Sequence, residues 1–133
     1  MMSARILFVC TGNSARSQMA EGLARALAEP GVEVASAGTH PAGLNPLAIT
    51  AMRQRGIDIS KQHSKHIEDV PGEFDYVITL CDSAAQDCPV VPARGARLHW
   101  SLPDPAAADG NEAQRLVIFG EVRDEIERRL RHW

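Results

Sequence analysis

The chain has 133 residues, 44% hydrophobic and 23% charged, with a formal net charge of −3. That length and apolar content predict a single domain over residues 1–133 with an ordinary globular core. A small negative charge without a long run of one sign argues against nucleic acid or an anionic membrane as principal partner. The longest apolar run near the start, Ile6 to Cys10, is too short for a signal-peptide core or a membrane span, so the expected location is cytoplasmic.

Residues 4–9 form a continuous apolar run and predict a strand buried on both faces. From about Ser14 the period becomes helical, with Met19, Ala20, Leu23, Ala24 and Leu27 on one face, and Pro30-Gly31 ends it. Val32 to Ser36 alternates as a second strand. Strand, helix and strand in so short a span make a right-handed βαβ unit with parallel strands. Residues 37–45 read as loop. Pro46 suits a first helical turn, and Leu47, Ala48, Ala51 and Met52 carry a second helix to about Gly56. The stretch from Ile57 to Val70 is polar and mixed, with a short helical turn. Tyr76 to Leu80 is a third strand, ending directly at Cys81. The polar stretch Asp82 to Asp87 leads to Cys88-Pro89. Residues 97–100 make a short fourth strand, followed by the loop Leu102-Pro103-Asp104-Pro105. Asp109 and Glu112 read as a capping pair for a last helix to about Leu130, with Leu116, Phe119, Val122, Ile126 and Leu130 inward. The class is α/β: a three-layer sandwich with a four-stranded, mostly parallel sheet and helices on both faces.

The chemistry centres on Cys10-Thr11-Gly12-Asn13-Ser14-Ala15-Arg16-Ser17. In open parallel sheets ligands bind beyond the carboxyl ends of strands, and Cys10 sits at that end of the first strand. The following loop enters a helix N-terminus, whose unpaired N–H groups and dipole favour an anion. Gly12 lets successive N–H groups converge. Arg16 offers a planar fork for two oxygens of a tetrahedral oxyanion. The same field favours the thiolate form of Cys10, Ser17 can donate a hydrogen bond to it, and Asn13 can hold the loop through side-chain bonds. Residues 11–17 are thus the candidate oxyanion-binding loop, and Cys10 and Arg16 candidate catalytic residues.

There are three cysteines, Cys10, Cys81 and Cys88. An odd number without an export signal does not read as a disulfide framework. Cys81 lies at the same sheet edge as Cys10. In a regular helix the Cα atoms of Cys81 and Cys88 would be about 10 Å apart, and a disulfide needs them within about 7 Å. A bond between them therefore requires the intervening segment to unwind, which suits a redox-switch element.

The run from Cys10 to Ser17, continued by Gln18-Met19-Ala20-Glu21, closely resembles the signature of the low-molecular-weight phosphotyrosine phosphatase superfamily. Within it, the form is that of the arsenate reductases that use this fold. The likeness continues through Ser36-Ala37-Gly38, Gly56 to Ser60, Thr79 to Asp82 with Cys88-Pro89, and Leu102 to Pro105. It implies the strand order 2-1-3-4, with a phosphatase-type anion loop after the first strand. It also implies that Cys10 attacks arsenate, Cys81 attacks Cys10 and releases arsenite, and Cys88 takes Cys81 into a surface disulfide that a thioredoxin reduces. Asp104 before Pro105 would be the general acid, with Asp82 and Asp109 as rival carboxylates.

The motif leaves two reactions open, and the second attacking group decides between them. A phosphatase needs one cysteine, an acid and water. Arsenate reduction needs two electrons, which thiols supply only if a second sulfur attacks and a disulfide is left. Phosphotyrosine phosphatases of this superfamily follow Asp-Pro with aromatic residues, whereas Ala106-Ala107-Ala108 stand here. That favours a small oxyanion, arsenate, with phosphate or sulfate as mimics, over a phosphoprotein. A low-molecular-weight tyrosine phosphatase or small acid phosphatase using Cys10, Arg16 and Asp104 is the alternative, and a non-catalytic oxyanion-binding or redox-sensing regulator is a third class. No metal-ligand spacing or nucleotide-binding glycine fingerprint occurs, so no cofactor and no metal are expected, and a monomer is. His63 and His66 read as solvated. Asn13, Glu21 and Ser36 match positions that hold potassium in some relatives, but Lys65 stands where a carboxylate ligand is expected. Ala15 replaces a cysteine found in some relatives, a thiol the cascade does not need.

Overall fold

The computed structural model describes residues 3–81 and 91–133. The strands are β1 (Ala4–Cys10), β2 (Val32–Gly38), β3 (Tyr76–Thr79) and β4 (Ala96–His99), and the α-helices are α1 (Arg16–Leu27), α2 (Pro46–Arg53) and α3 (Glu112–Arg131). Single 3-10 turns cover Ile67–Asp69 and Pro105–Ala107. The sheet order is β2-β1-β3-β4, as the resemblance implied, and every pairing is parallel. The register sets Cys10 opposite Gly38, and Val9 opposite Thr79, which in turn faces His99.

The pleat sorts β1 onto two cores. Ile6 and Phe8 join Met19 and Leu23 of α1, Ala48 and Met52 of α2, and Phe119, Val122 and Ile126 of α3 in the larger cluster. Leu7 and Val9 face the smaller cluster with Ala37, Phe74 and Val77, backed by Ile67, Val70, Val91 and Ala93. A strand buried on both faces has to be apolar without alternation, which is what residues 6–9 supply. Helical cover is unequal: among the described residues the three α-helices lie on one face, and the other carries the 3-10 turn Ile67–Asp69 with the 91–93 stretch.

Three local expectations shift. The α3 cap is Asn111, whose Oδ1 accepts from Gln114 N while Gln114 Oε1 accepts from Asn111 N. The Asp109–Glu112 capping pair does not form, because Glu112 is already the first residue of α3. Gly110, at φ +108°, makes the turn that sets this boundary. Leu27 fits the helical period but is exposed at the end of α1. Leu116 and Leu130 pack on the core only partly.

Candidate active site

The anion loop is the five-residue connection, Thr11 to Ala15, between Cys10 and α1. Its carbonyls are drawn outward by the 39–45 loop: His40 N donates to Thr11 O, Ala42 N to Gly12 O and Asn45 N to Ser14 O, at 2.9–3.0 Å. With the carbonyls so engaged, the loop's own N–H groups are left for the inner side. The N-cap of α1 is Ala15, with no side-chain cap, and the first turn holds no acidic residue. Its N–H donors and its dipole therefore remain for a bound anion.

Asn13 shapes the loop. It is fully buried and left-handed at φ +45°, a conformation that costs a non-glycine residue about 1 kcal/mol. Its side chain offsets that cost. Oδ1 accepts from Gln18 Nε2 and Lys65 N, both at 3.0 Å, and Nδ2 donates to Ser17 Oγ at 2.8 Å. Because Ser17 Oγ already accepts from Asn13, its hydrogen is available to Cys10 Sγ, 2.8 Å away. The hydroxyl thus meets the sulfur as a hydrogen-bond donor and fixes its position. We expect Ser17→Ala to slow alkylation of Cys10 by iodoacetamide about tenfold, the equivalent of one hydrogen bond to the sulfur. An unchanged rate would remove Ser17 from the activation of the thiol.

The strand β2 closes the loop from behind. A Cβ on Gly38 would lie 2.5 Å from Thr11 O, 2.7 Å from Cys10 O and 2.9 Å from Asn13 N. All three are backbone atoms that cannot swing aside. Gly38→Ala is expected to cost about 1–3 kcal/mol and to weaken phosphate binding, measured by denaturant melts and calorimetry. Retained affinity would mean that the loop relaxes without losing its shape.

The cavity above Cys10 is about 180 Å³ and is lined by Gly12, Ser14, Ala15, Arg16, Ala42, Asp104 and Ala106 besides the cysteine. That is well below the roughly 300–1,000 Å³ of clefts that take drug-sized ligands. Its rim residues Ala42 and Ala106 offer no ring to stack on. Of the candidate oxyanion-binding residues, Gly12, Ser14, Ala15 and Arg16 border the space. Asn13 and Ser17 are fully buried and support the loop from behind, and Thr11 gives its carbonyl to the outer loop.

Arg16 is buried, and its Nη1 donates to Leu80 O at 3.2 Å and to Leu102 O at 3.0 Å. Among the described residues nothing hydrogen-bonds its Nε or Nη2. One nitrogen thus ties the guanidinium to the residue before Cys81 and to the loop carrying Asp104, and the others remain for an anion. Asp104 sits at the cavity mouth, and its Oδ1 accepts from Ala106 N at 3.0 Å, fixing the 3-10 turn that follows. Cys10 is a free buried thiol. Cys81 is fully buried and disulfide-bonded. The register places it one position beyond Leu80, which continues the ladder through a bond from Leu80 N to Val9 O. Cys88, Asp82 and the 82–87 switch segment lie outside the described residues. Asp109 does not border the cavity.

Residues 62–66, read from the sequence only as a polar stretch, form a strap under the anion loop. Gln62 Nε2 donates to Gln18 Oε1 at 2.8 Å, Ser64 Oγ to Gly12 O at 3.0 Å, and Gly38 N to Lys65 O at 3.0 Å. His66 Nδ1 accepts from Glu68 N and caps a turn, and His63 contributes its carbonyl to Gln18 Nε2. Most of these bonds use the backbone, which leaves no residue-type pattern to read.

The resemblance placed a possible potassium site at Asn13, Glu21 and Ser36. Here Ser36 Oγ donates to Glu21 Oε1 at 2.6 Å, Lys65 Nζ lies 3.6 Å from the same oxygen, and Arg25 Nη1 lies 2.8 Å from Glu21 Oε2. Asn13 Oδ1 already accepts two N–H groups. Oxygens so engaged, with an ammonium among them, do not fit a potassium ion.

Residues 5–133 match the sequence profile of low molecular weight phosphotyrosine protein phosphatase. An arsenate reductase of Shouchella clausii (strain KSM-K16) is 48% identical over 132 residues, 98% of this chain and 95% of that protein. A solved structure described as an arsenate reductase in the phosphate binding state superposes with a TM-score of 0.82 at 36% identity, covering 98% of this chain and 95% of that one. The thioredoxin-dependent arsenate reductase of Corynebacterium glutamicum superposes at 0.70 with 30% identity, covering 98% of this chain and 59% of that one. With the profile matched over almost its entire length, this chain belongs to the low-molecular-weight phosphotyrosine protein phosphatase family.

Proposed function

We propose that the protein reduces arsenate to arsenite, with Cys10 as nucleophile, Cys81 as resolving thiol and Cys88 as the thiol that closes the cycle. The observation that carries this is the link from Arg16 to Leu80 O: the residue that would grip the oxyanion also holds the backbone beside a second cysteine. A small cavity with no aromatic ring among the described residues that line it supports an inorganic substrate over a phosphoprotein. The relatives named arsenate reductase support the same reading.

Cys10 thiolate attacks As(V), and one arsenate oxygen leaves as water, with Asp104 supplying a proton. Cys81 thiolate attacks Cys10 Sγ. The S–As bond breaks and its electron pair stays on arsenic, which leaves as arsenite, while a Cys10–Cys81 disulfide forms. Cys88 thiolate attacks Cys81, frees Cys10 and leaves a Cys81–Cys88 disulfide. A dithiol reductant of the thioredoxin type restores both thiols and takes up the oxidising equivalent.

The test is arsenate-dependent NADPH oxidation with thioredoxin and thioredoxin reductase. Sustained oxidation that stops without arsenate or without thioredoxin is the expected result. No arsenate turnover, with vigorous hydrolysis of phosphotyrosine, would make the protein a phosphatase instead.

A further inference from the structure

We infer that Lys65 is a built-in counter-cation that braces the anion loop from below, a positioning residue for whatever oxyanion the loop holds. The inference rests on reading residues 10–17 as an oxyanion cradle, and not on which reaction follows.

The starting point is Glu21 on α1, whose side chain is 3% exposed. A carboxylate taken this far from water needs a paired charge. Two cations face it, and they are not equivalent. Arg25 is 55% exposed and Lys65 20%, so solvent weakens the arginine pair far more. The ammonium of Lys65 is the enclosed partner.

The rest of Lys65 is fixed to the catalytic loop. Its N donates to Asn13 Oδ1 at 3.0 Å, its O accepts from Gly38 N at 3.0 Å, and its Nζ donates to His63 O at 3.2 Å. Asn13 passes the connection to Ser17 and so to Cys10 Sγ. One residue therefore joins a buried carboxylate to the hydrogen-bond relay that ends at the thiol. Removing only its charge leaves the two oxygens the ammonium now faces, Glu21 Oε1 and His63 O, with Ser36 Oγ bonded to the first. That is an all-oxygen set of the kind hard cations take. The lysine variant should then borrow from the buffer the cation that the parent carries in its own chain.

The experiment compares the full-length parent with Lys65→Gln, Lys65→Arg and the double variant Glu21→Gln/Lys65→Gln. Inorganic phosphate binding is measured by calorimetry, and Tm by calorimetric scan, in tetramethylammonium chloride and in potassium chloride at equal ionic strength. The parent, Lys65→Arg and the double variant are expected to give the same values in both salts. Lys65→Gln is expected to bind phosphate about tenfold more weakly in tetramethylammonium and to melt about 5 °C lower. Potassium should restore most of both. A parent that itself responds to potassium would overturn the inference, as would a Lys65→Gln protein indifferent to it. The melting arm needs no anion, so a parent that fails to bind phosphate would count against the cradle and leave the Lys65 result standing on its own.

Discussion

Replacing Cys81 or Cys88 by serine is expected to abolish sustained arsenate reduction, with different stoichiometries on the way to the block. A hydroxyl cannot take sulfur's place in a disulfide, so Cys81→Ser should release no arsenite beyond background. Cys88→Ser should release about one equivalent per enzyme and then halt as a Cys10–Cys81 disulfide. Steady turnover should fall by about 10³-fold or more in both. Phosphate binding should survive in both, because the cavity above Cys10 is built from the anion loop, Ala42 and the 104–106 turn. Weak hydrolysis of an aryl phosphate should survive with it, since that reaction needs Cys10, Arg16 and an acid. The measurements are rapid-quench arsenite determination, mass spectrometry of trapped disulfides and an aryl-phosphatase assay. Full reductase turnover by either variant would mean that an external thiol resolves the Cys10 adduct.

The parts of this site that the sequence discloses are those where one residue type has a steric or chemical monopoly. Continuous apolar residues from Ile6 to Val9, too short a run for a buried helix, point to a strand covered twice, and both cores are there. Cys10, Gly12, Arg16 and Ser17 at a strand-to-helix junction specify an anion cradle, because few other residue sets present a thiol, a tight backbone curl and a fork together. What stays hidden is held by backbone groups or settled by competition. The 62–66 strap works largely through carbonyls and N–H groups, and any residue supplies those. The α3 start was a contest between two overlapping capping patterns, Asp109 with Glu112 and Asn111 with Gln114. Gly110 decided it by turning the chain one residue before the cap. The two carbonyls on Arg16 come from positions 64 and 86 residues away, a separation at which local pattern carries no information.

Those two carbonyls make Arg16→Lys the substitution with the largest expected effect among those that keep the cysteines. An arginine here performs two tasks with one planar group. Nη1 is committed to Leu80 O and Leu102 O, and Arg16 borders the space where a tetrahedral anion would sit, its remaining N–H donors uncommitted among the described residues. A lysine keeps the charge but has a single nitrogen, so it can satisfy the carbonyls or the anion and not both. If the ammonium stays with the carbonyls, the anion loses its bidentate partner. If it turns to the anion, two buried carbonyls lose a donor at about 1–3 kcal/mol each, and the segments leading to Cys81 and Asp104 lose their shared anchor. Either way the loss falls on the transition state, where charge develops on the arsenate oxygens. We expect kcat/KM for arsenate to fall about 10³-fold, with Cys10 still alkylated by iodoacetamide. Slower formation of the Cys10–Cys81 disulfide in a single turnover would follow from the loosened Leu80 backbone. The discriminating comparison is between phosphate affinity and that disulfide rate. A lysine variant with weakened phosphate binding and an unchanged disulfide rate would confine Arg16 to gripping the oxyanion, and the bridge to Leu80 would then have no part in bringing the second sulfur to the first.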